Sequence, residues 1–477
     1  MRLRYLAALI AFPTAAFAQG RPLTTADSNL VGRILLAEDR RDSTAGALVE
    51  GARHADLRVR TLALRARGRI VDPKYAARDS LPPLAAPPHW DEPAWRLRLL
   101  ALTPKSECGA LRLALSDSAW PVRLRATDLL VPACAADEVI VSTLREWIDA
   151  LPADASRRRA GEVSWHAAAH AGVALARLRA AEAQQRMSKL ASHRQPQVRA
   201  YAARAAAVLG DSLRLRTMAR DPDDNVKEAA IEELNKITGH TDDPTYLAAL
   251  NERGAQAVRA AAVALKGSPR SEARTAAASA YARWAAEGNA SAHDVRAALL
   301  EAAGRPATDD RAPPVHAELL PQEVALALGA DIRLRVIMAP TSGGGSFLVR
   351  LRGDNAPLMA ARILALSRAR YYDGLTWHRV EHDYVIQGGS PAANEYVGLP
   401  EFMRDELGTI PHVRGTVGMS TRGHDTGDAQ WFVNLRDNLR LGRDYSVFAE
   451  VVDGIDVVDG ILEGDVIARI EEVPPRR

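Results

Sequence analysis

Gln195-Pro196-Gln197-Val198-Arg199-Ala200-Tyr201-Ala202-Ala203-Arg204-Ala205-Ala206-Ala207-Val208-Leu209, closed by Gly210-Asp211-Ser212, decides how most of this chain folds. Pro196 stands where a helix can lose a backbone donor at no cost, so it reads as a first turn. Val198 opens an apolar stripe that runs on through Ala202, Ala205 and Leu209, the spacing of one buried helix face. Gly210-Asp211-Ser212 then ends that helix and starts another. The next unit repeats the plan. Asp221-Pro222-Asp223-Asp224 puts carboxylates at a helix N-terminus, where the macrodipole favours them, and Val226, Ala230, Ile231, Leu234 and Ile237 form the expected buried face.

Outward from this stretch, a short pattern of Val, Arg or Lys, two variable positions and Ala recurs. It stands at Val59-Arg60 with Ala63, Val122-Arg123 with Ala126, Val198-Arg199 with Ala202, Val226-Lys227 with Ala230, and Val258-Arg259 with Ala262. The last two intervals are 28 and 32 residues, and the earlier ones fit two degenerate units each. A period of that length marks a solenoid of stacked helical hairpins. The pattern resembles the short bacterial type of HEAT repeat over residues 25–305, which implies a surface able to bind proteins.

Composition agrees. The 477 residues are 47% hydrophobic and 25% charged, with only 5% aromatics, which suits alanine-rich close-packed helices and is too long for a single core. A formal charge of +3, with arginines interspersed among Asp and Glu, lacks the concentrated basic face of a nucleic-acid binder. No later stretch reaches the ~20 apolar residues of a membrane span. Residues 1–18 read as a secretory signal: Arg2 and Arg4, the apolar run Leu6–Phe12, and Ala16-Phe17-Ala18 before Gln19. A soluble periplasmic or extracellular protein is expected. In such a compartment Cys108 and Cys134, 26 residues apart, either bridge neighbouring helices of one repeat or stay as two buried thiols.

Two features of the repeat region read as structural. His166 and His170 lie one helical turn apart, but a zincin-type Glu and a third ligand are missing, so surface or groove histidines are expected and no metal. Pro82-Pro83, Pro87-Pro88 and Pro93 read as an irregular loop between repeats, with a docking segment as the alternative. Residues 306–325 are polar and proline-rich and read as a linker.

From 326 to 477 the hydrophobic period changes. Ile332, Leu334, Val336 and Met338 alternate, three glycines turn the chain at Gly343–Gly345, and Phe347, Val349 and Leu351 alternate back as a hairpin. Asp354-Asn355-Ala356-Pro357 starts a helix with Leu358, Met359, Ile363, Leu364 and Leu366 inward. Strand-like runs follow at 416–419, 430–434, 446–452 and 466–470, which suggests a closed barrel with helical ends.

Tyr371-Tyr372-Asp373-Gly374, Trp377-His378-Arg379-Val380, Tyr384-Val385-Ile386-Gln387-Gly388-Gly389, Arg414–Ser420, Asp428–Val433 and Leu441–Gly454 resemble the cyclophilin signature, in the family's order and spacing. The resemblance implies an eight-stranded antiparallel barrel capped by two helices, with peptidyl-prolyl isomerase activity and no cofactor or metal. Arg379 matches the family's catalytic arginine. Gln387 would hold Arg379 or the substrate carbonyl. Tyr384, Val385, Phe432 and Leu441 would line a proline pocket with Tyr445 at its rim, Gln430 nearby and Thr421 where the peptide runs extended. His378 reads as a buried structural histidine. Tyr384, Val385 and Tyr445 stand where Phe, Met and His are usual, and Arg440 replaces the tryptophan that grips cyclosporin in many members, so weak cyclosporin binding is expected. The competing expectation is a scaffold or chaperone whose barrel only binds proline-containing segments. A nucleophile elbow, a P-loop and a dinucleotide fingerprint are not visible.

Overall fold

The computed structural model describes residues 23–72, 84–159, 161–310 and 321–473. The leader-like residues 1–18 and the Pro82-Pro83 pair lie outside these. Residues 25–310 are helical and residues 333–473 carry all the β-strands among the described residues.

The repeat anchors do what their spacing demands. Val59, Val122, Val198, Val226 and Val258 are all at most 1% exposed, as are Ala63, Ala126, Ala202, Ala230 and Ala262. The deciding stretch forms helix Pro196–Val208. Gly210, at φ +70°, breaks it, and the Asp211 carboxylate caps helix Ser212–Met218 through Arg214 N. Helix Asp224–Thr238 is capped by Asp223 and buries Val226, Ala230, Ile231 and Leu234. Ile237 departs from expectation: it is 39% exposed, in the last turn of its helix before Gly239.

Two separate cores hold the helices. One runs continuously from Leu111 to Ala302. The other joins helices Thr25–Asp39, Gly46–Ala52 and Leu57–Val71 to Leu358 at the start of helix Pro357–Arg368. Cys108 and Cys134 form a disulfide, Cα to Cα 5.4 Å, tying helix Cys108–Ala114 to the 3-10 turn Pro132–Ala136. Residues 84–93 have no regular structure, and Trp90 donates from Nε1 to Val451 O of the barrel at 3.2 Å. That stretch therefore docks within its own chain.

Eight antiparallel strands follow: β1 (Arg333–Met338), β2 (Ser346–Leu351), β3 (Trp377–Val380), β4 (Val385–Gly388), β5 (Thr416–Met419), β6 (Trp431–Asn434), β7 (Val447–Asp453) and β8 (Ile467–Val473). Their order is β3-β4-β6-β5-β7-β2-β1-β8, and Thr376 pairs with Val466 to close the sheet into a barrel. Phe347, Trp377, Ile386, Val417, Trp431, Val433 and Phe448 fill the interior. Helices Pro357–Arg368 and Ile455–Asp459 flank it. Helix Pro321–Ala327 lies in the linker stretch and sends Leu326 into the barrel core.

The barrel docks on the helical region at points spread along its length, among them Arg69 Nη2, which donates to Asn355 O at 2.6 Å. Arg96, fully buried, donates to His382 O at 2.9 Å, Leu435 O at 2.7 Å and Asp459 Oδ1 at 2.7 Å. Further along, Arg158 pairs with Asp465 through Nε at 2.8 Å, His166 Nε2 meets Glu463 O at 2.8 Å, and Ala290 N donates to Pro400 O at 2.9 Å. Part of the repeat surface expected to be open to other proteins is thus covered by the chain's own C-terminal domain.

Candidate active site

One cross-strand row builds the site. Arg379 on β3 pairs with Gln387 on β4, Gln387 with Phe432 on β6, and Phe432 with Gly418 on β5. Residues opposite one another in an antiparallel ladder point to the same face. Here that face is the outer one, because the alternating neighbours Ile386, Trp431 and Val433 fill the interior. Gly418 must be glycine, since a Cβ there would lie 2.4 Å from the Phe432 ring. The absent side chain lets Phe432 lie flat as the floor of a hollow.

That hollow measures about 120 Å³. Val385, Phe432 and Leu441 are its buried walls, with Tyr384 and Tyr445 packed against them. The Tyr445 ring meets Phe432 edge-on at 5.7 Å, and the Arg440 guanidinium lies 5.0 Å over Tyr384. Arg379, Gln387 and Thr421 stand at its polar side. Arg379 Nη1 donates to Gln387 Oε1 at 3.3 Å, and Gln387 Nε2 donates to Gln430 Oε1 at 3.2 Å. Gln430 Nε2 then reaches Glu395 O at 3.1 Å and Val397 O at 3.2 Å. Gln430 therefore sits behind the hollow as a support, and the other eight residues expected at the site line it.

Sequence reading missed four further residues. Glu381, two residues after Arg379 and just past the end of β3, accepts from its Nε at 2.7 Å; extending a period-two reading beyond that strand would have found it. Glu395 holds Arg379 Nη1 at 3.0 Å. Ser420 and Arg422 flank Thr421, and Arg422 donates to Ser291 O at 3.2 Å and pairs with Asp294 of the solenoid. Burial works against charge on Arg379, but the carboxylates of Glu395 and Glu381 outweigh it and raise its pKa above the usual range. His378 sits at the irregularity between Trp377 and Arg379 and lines the neighbouring cleft beside Arg379; burial pushes its pKa down to about 4, which keeps it neutral.

No cluster fit to hold a metal ion occurs among the described residues. His170 is engaged by Asp128 Oδ1 at 2.7 Å and by the Tyr201 hydroxyl at 3.1 Å. His166 is not a surface residue: at 3% exposure it is buried between solenoid and barrel, where with His170 it lines a groove of about 300 Å³.

A model of cyclophilin type peptidyl-prolyl cis-trans isomerases matches residues 336–475, and a HEAT-repeat model matches residues 185–266. A peptidyl-prolyl cis-trans isomerase of Helicobacter pylori (strain ATCC 700392 / 26695) is 31% identical over 130 residues, 26% of this chain and 80% of the relative. Peptidyl-prolyl cis-trans isomerase B of Escherichia coli (strain K12) is 33% identical over 128 residues, 24% of this chain and 78% of the relative. A crystal structure of a cyclophilin-type isomerase from Cryptosporidium parvum overlays 31% of this chain and 99% of its own, at 20% identity and a TM-score of 0.28. Four-fifths of an isomerase is matched at nearly one identity in three, over the barrel that carries the Arg379–Phe432 row, and the chain belongs to the cyclophilin-type peptidyl-prolyl cis-trans isomerase family.

Proposed function

We propose that the chain accelerates X-Pro isomerisation in exported proteins, with Arg379 as the catalytic residue and the hollow beside it as the proline seat. The observation that carries this reading is the row that sets a guanidinium and its amide support against the lip of an apolar pocket.

Rotating an imide bond removes amide resonance, against a barrier of ~18–20 kcal/mol. In the twisted state the proline nitrogen pyramidalises and gains a localised lone pair. A donor aimed at that nitrogen stabilises the twisted state more than either planar state, which is what lowers a barrier. A guanidinium suits this because it stays charged and presents several donors on a rigid plane. Gln387 fixes that plane, while Val385, Phe432 and Leu441 hold the ring. A ~10⁴-fold acceleration needs roughly 5–6 kcal/mol, within reach of one charged donor and good positioning. The residues lining the site supply all of this without a nucleophile or proton shuttle. Weak cyclosporin binding belongs to the same reading, since Arg440 covers Tyr384 where a tryptophan would offer a gripping surface.

Export is supported by the leader-like residues 1–18 and by the Cys108–Cys134 disulfide, a bond kept in oxidising compartments. The repeats serve as a platform for client proteins, supported by the HEAT match over 185–266. A proline-limited refolding assay on the full chain tests catalysis: acceleration by the wild type and not by Arg379→Ala supports the reading, and equal acceleration by both removes Arg379 from it. A reporter fused after residue 18 should be exported and processed before Gln19; retention in the cytoplasm would remove the export claim.

A further inference from the structure

Arg379 and Glu395 line two spaces at once. One is the apolar hollow; the other is a cleft of about 770 Å³ between the barrel stretch Pro391–Tyr396 and solenoid helices Pro196–Val208, Asp224–Thr238 and Ala255–Leu265. The cleft is a built feature, since polar contacts pin the barrel stretch to the solenoid. Asn225 Nδ2 donates to Ala392 O at 3.0 Å, Asn394 Nδ2 donates to Asn225 Oδ1 at 3.1 Å, and the Arg259 guanidinium lies 3.9 Å over the Tyr396 ring.

The charges in the cleft follow a pattern. At the barrel wall, the single guanidinium of Arg379 is shared by Glu381 and Glu395. At the solenoid wall, the single guanidinium of Arg259 is shared by Glu228 at 2.9 Å and Glu232 at 2.8 Å. The lining of the cleft as a whole sets five carboxyl groups, Asp223, Glu228, Glu232, Glu395 and Glu463, against three guanidinium groups, Arg204, Arg259 and Arg379, with burial raising the pKa of Glu228 to about 7. The outer carboxylates, Glu395 and Glu232, remain 40% and 44% exposed, so each retains unfilled acceptor positions facing solvent. A cation is the complement of both clusters.

We propose that this cleft holds the part of a client chain next to the prolyl bond and favours segments carrying Lys or Arg, with Glu232 and Glu395 as the recognising groups. The proposal rests on the isomerase reading for what occupies the hollow. Continuity supplies the rest, because a chain seated in the hollow passes Arg379 and Glu395 directly into the cleft. The solenoid then contributes specificity to the reaction through its own side chains. The formal charge of the whole chain, +3, gives no general attraction for cations, so a preference for them reports this cleft.

The test uses the full-length protein and two peptides of equal length with one central proline, flanked by lysines in one and glutamines in the other. Turnover is read by NMR exchange and binding by fluorescence anisotropy. The lysine peptide should be favoured about three- to tenfold in kcat/KM at low salt, the size expected of one or two half-exposed ion pairs, and the ratio should fall as salt is added. Glu232→Gln with Glu395→Gln should bring the ratio near one. Glu301→Gln, which removes a solenoid carboxylate outside the cleft, should leave it unchanged. Turnover of both peptides at equal kcat/KM, or a preference that survives the double substitution, overturns the proposal. Preferential binding of the lysine peptide without turnover of either supports the cleft and removes the isomerase reading instead.

Discussion

Arg379 and Gln387 face each other across one rung of the β3–β4 ladder, Nη1 to Oε1 at 3.3 Å, so sheet register sets the aim of the guanidinium. The amide is itself held by Gln430, and Gln430 by the backbone of the stretch that contacts the solenoid. Beside its ion pairs with Glu381 and Glu395, the Arg379 guanidinium is thus linked through Gln387 and Gln430 to backbone outside the barrel sheet.

Gln387→Ala should lower kcat/KM about tenfold while leaving the affinity for a prolyl peptide nearly unchanged. The loss of one hydrogen bond that orients a charged donor is of order 1.5 kcal/mol. Single-turnover exchange kinetics beside equilibrium binding check this; a loss of affinity with unchanged turnover would assign Gln387 to binding alone.

Gly418→Ala should injure the pocket without touching any polar group. The added methyl would meet the Phe432 ring at 2.4 Å and lift the floor of the hollow. Overpacking of this kind costs about 1–3 kcal/mol in stability. The measurement is KM for an X-Pro peptide beside the thermal midpoint. A rise in KM with a lowered midpoint is expected, and wild-type values of both would mean the floor adapts.

His166 should make the protein acid-sensitive. Burial pushes its pKa from the ordinary 6.5 down to about 3, only partly offset by the bond from its Nε2 to Glu463 O. Between those values the unfolded chain binds a proton that the folded chain refuses. The stability His166 contributes is complete above pH 6.5 and is lost as pH falls. From pH 7 to 5 the loss is about 2 kcal/mol. Glu228, raised by burial to about 7, titrates in the opposite sense, so the comparison must be differential. His166→Gln should lose less stability than the wild type over that range in parallel denaturation series; equal losses would show that His166 is protonated in the folded state.

Both architectures were legible in the sequence, for different reasons. Val198, Val226 and Val258 announce the solenoid because a buried face must repeat with the helical period. Ile332 to Leu351 announce a hairpin because its alternation is local. Strands β3 and β4, only four residues each, carry too little pattern to be read without the resemblance of their residues to a family. Arg379, Gln387 and Phe432 came from that resemblance, and their row is consistent with it. Glu395 and Arg422 were not legible, since their positions depend on loops held by Asn225, Ser291 and Asp294 from another domain. The docking of the barrel on the repeats was hidden for the same reason: Arg96 and Asp459 are 363 residues apart, and neither carries a local signal of the other.

In the proposed function Arg379 eases the twist of the imide bond. NMR magnetisation exchange on a short X-Pro peptide measures that step directly, with the full-length wild type, Arg379→Lys and Arg379→Ala. Exchange should be accelerated by the wild type, reduced about tenfold or more in Arg379→Lys because a point charge cannot replace the rigid fork, and near the uncatalysed rate in Arg379→Ala while the peptide still binds. Undiminished exchange with Arg379→Ala would contradict it.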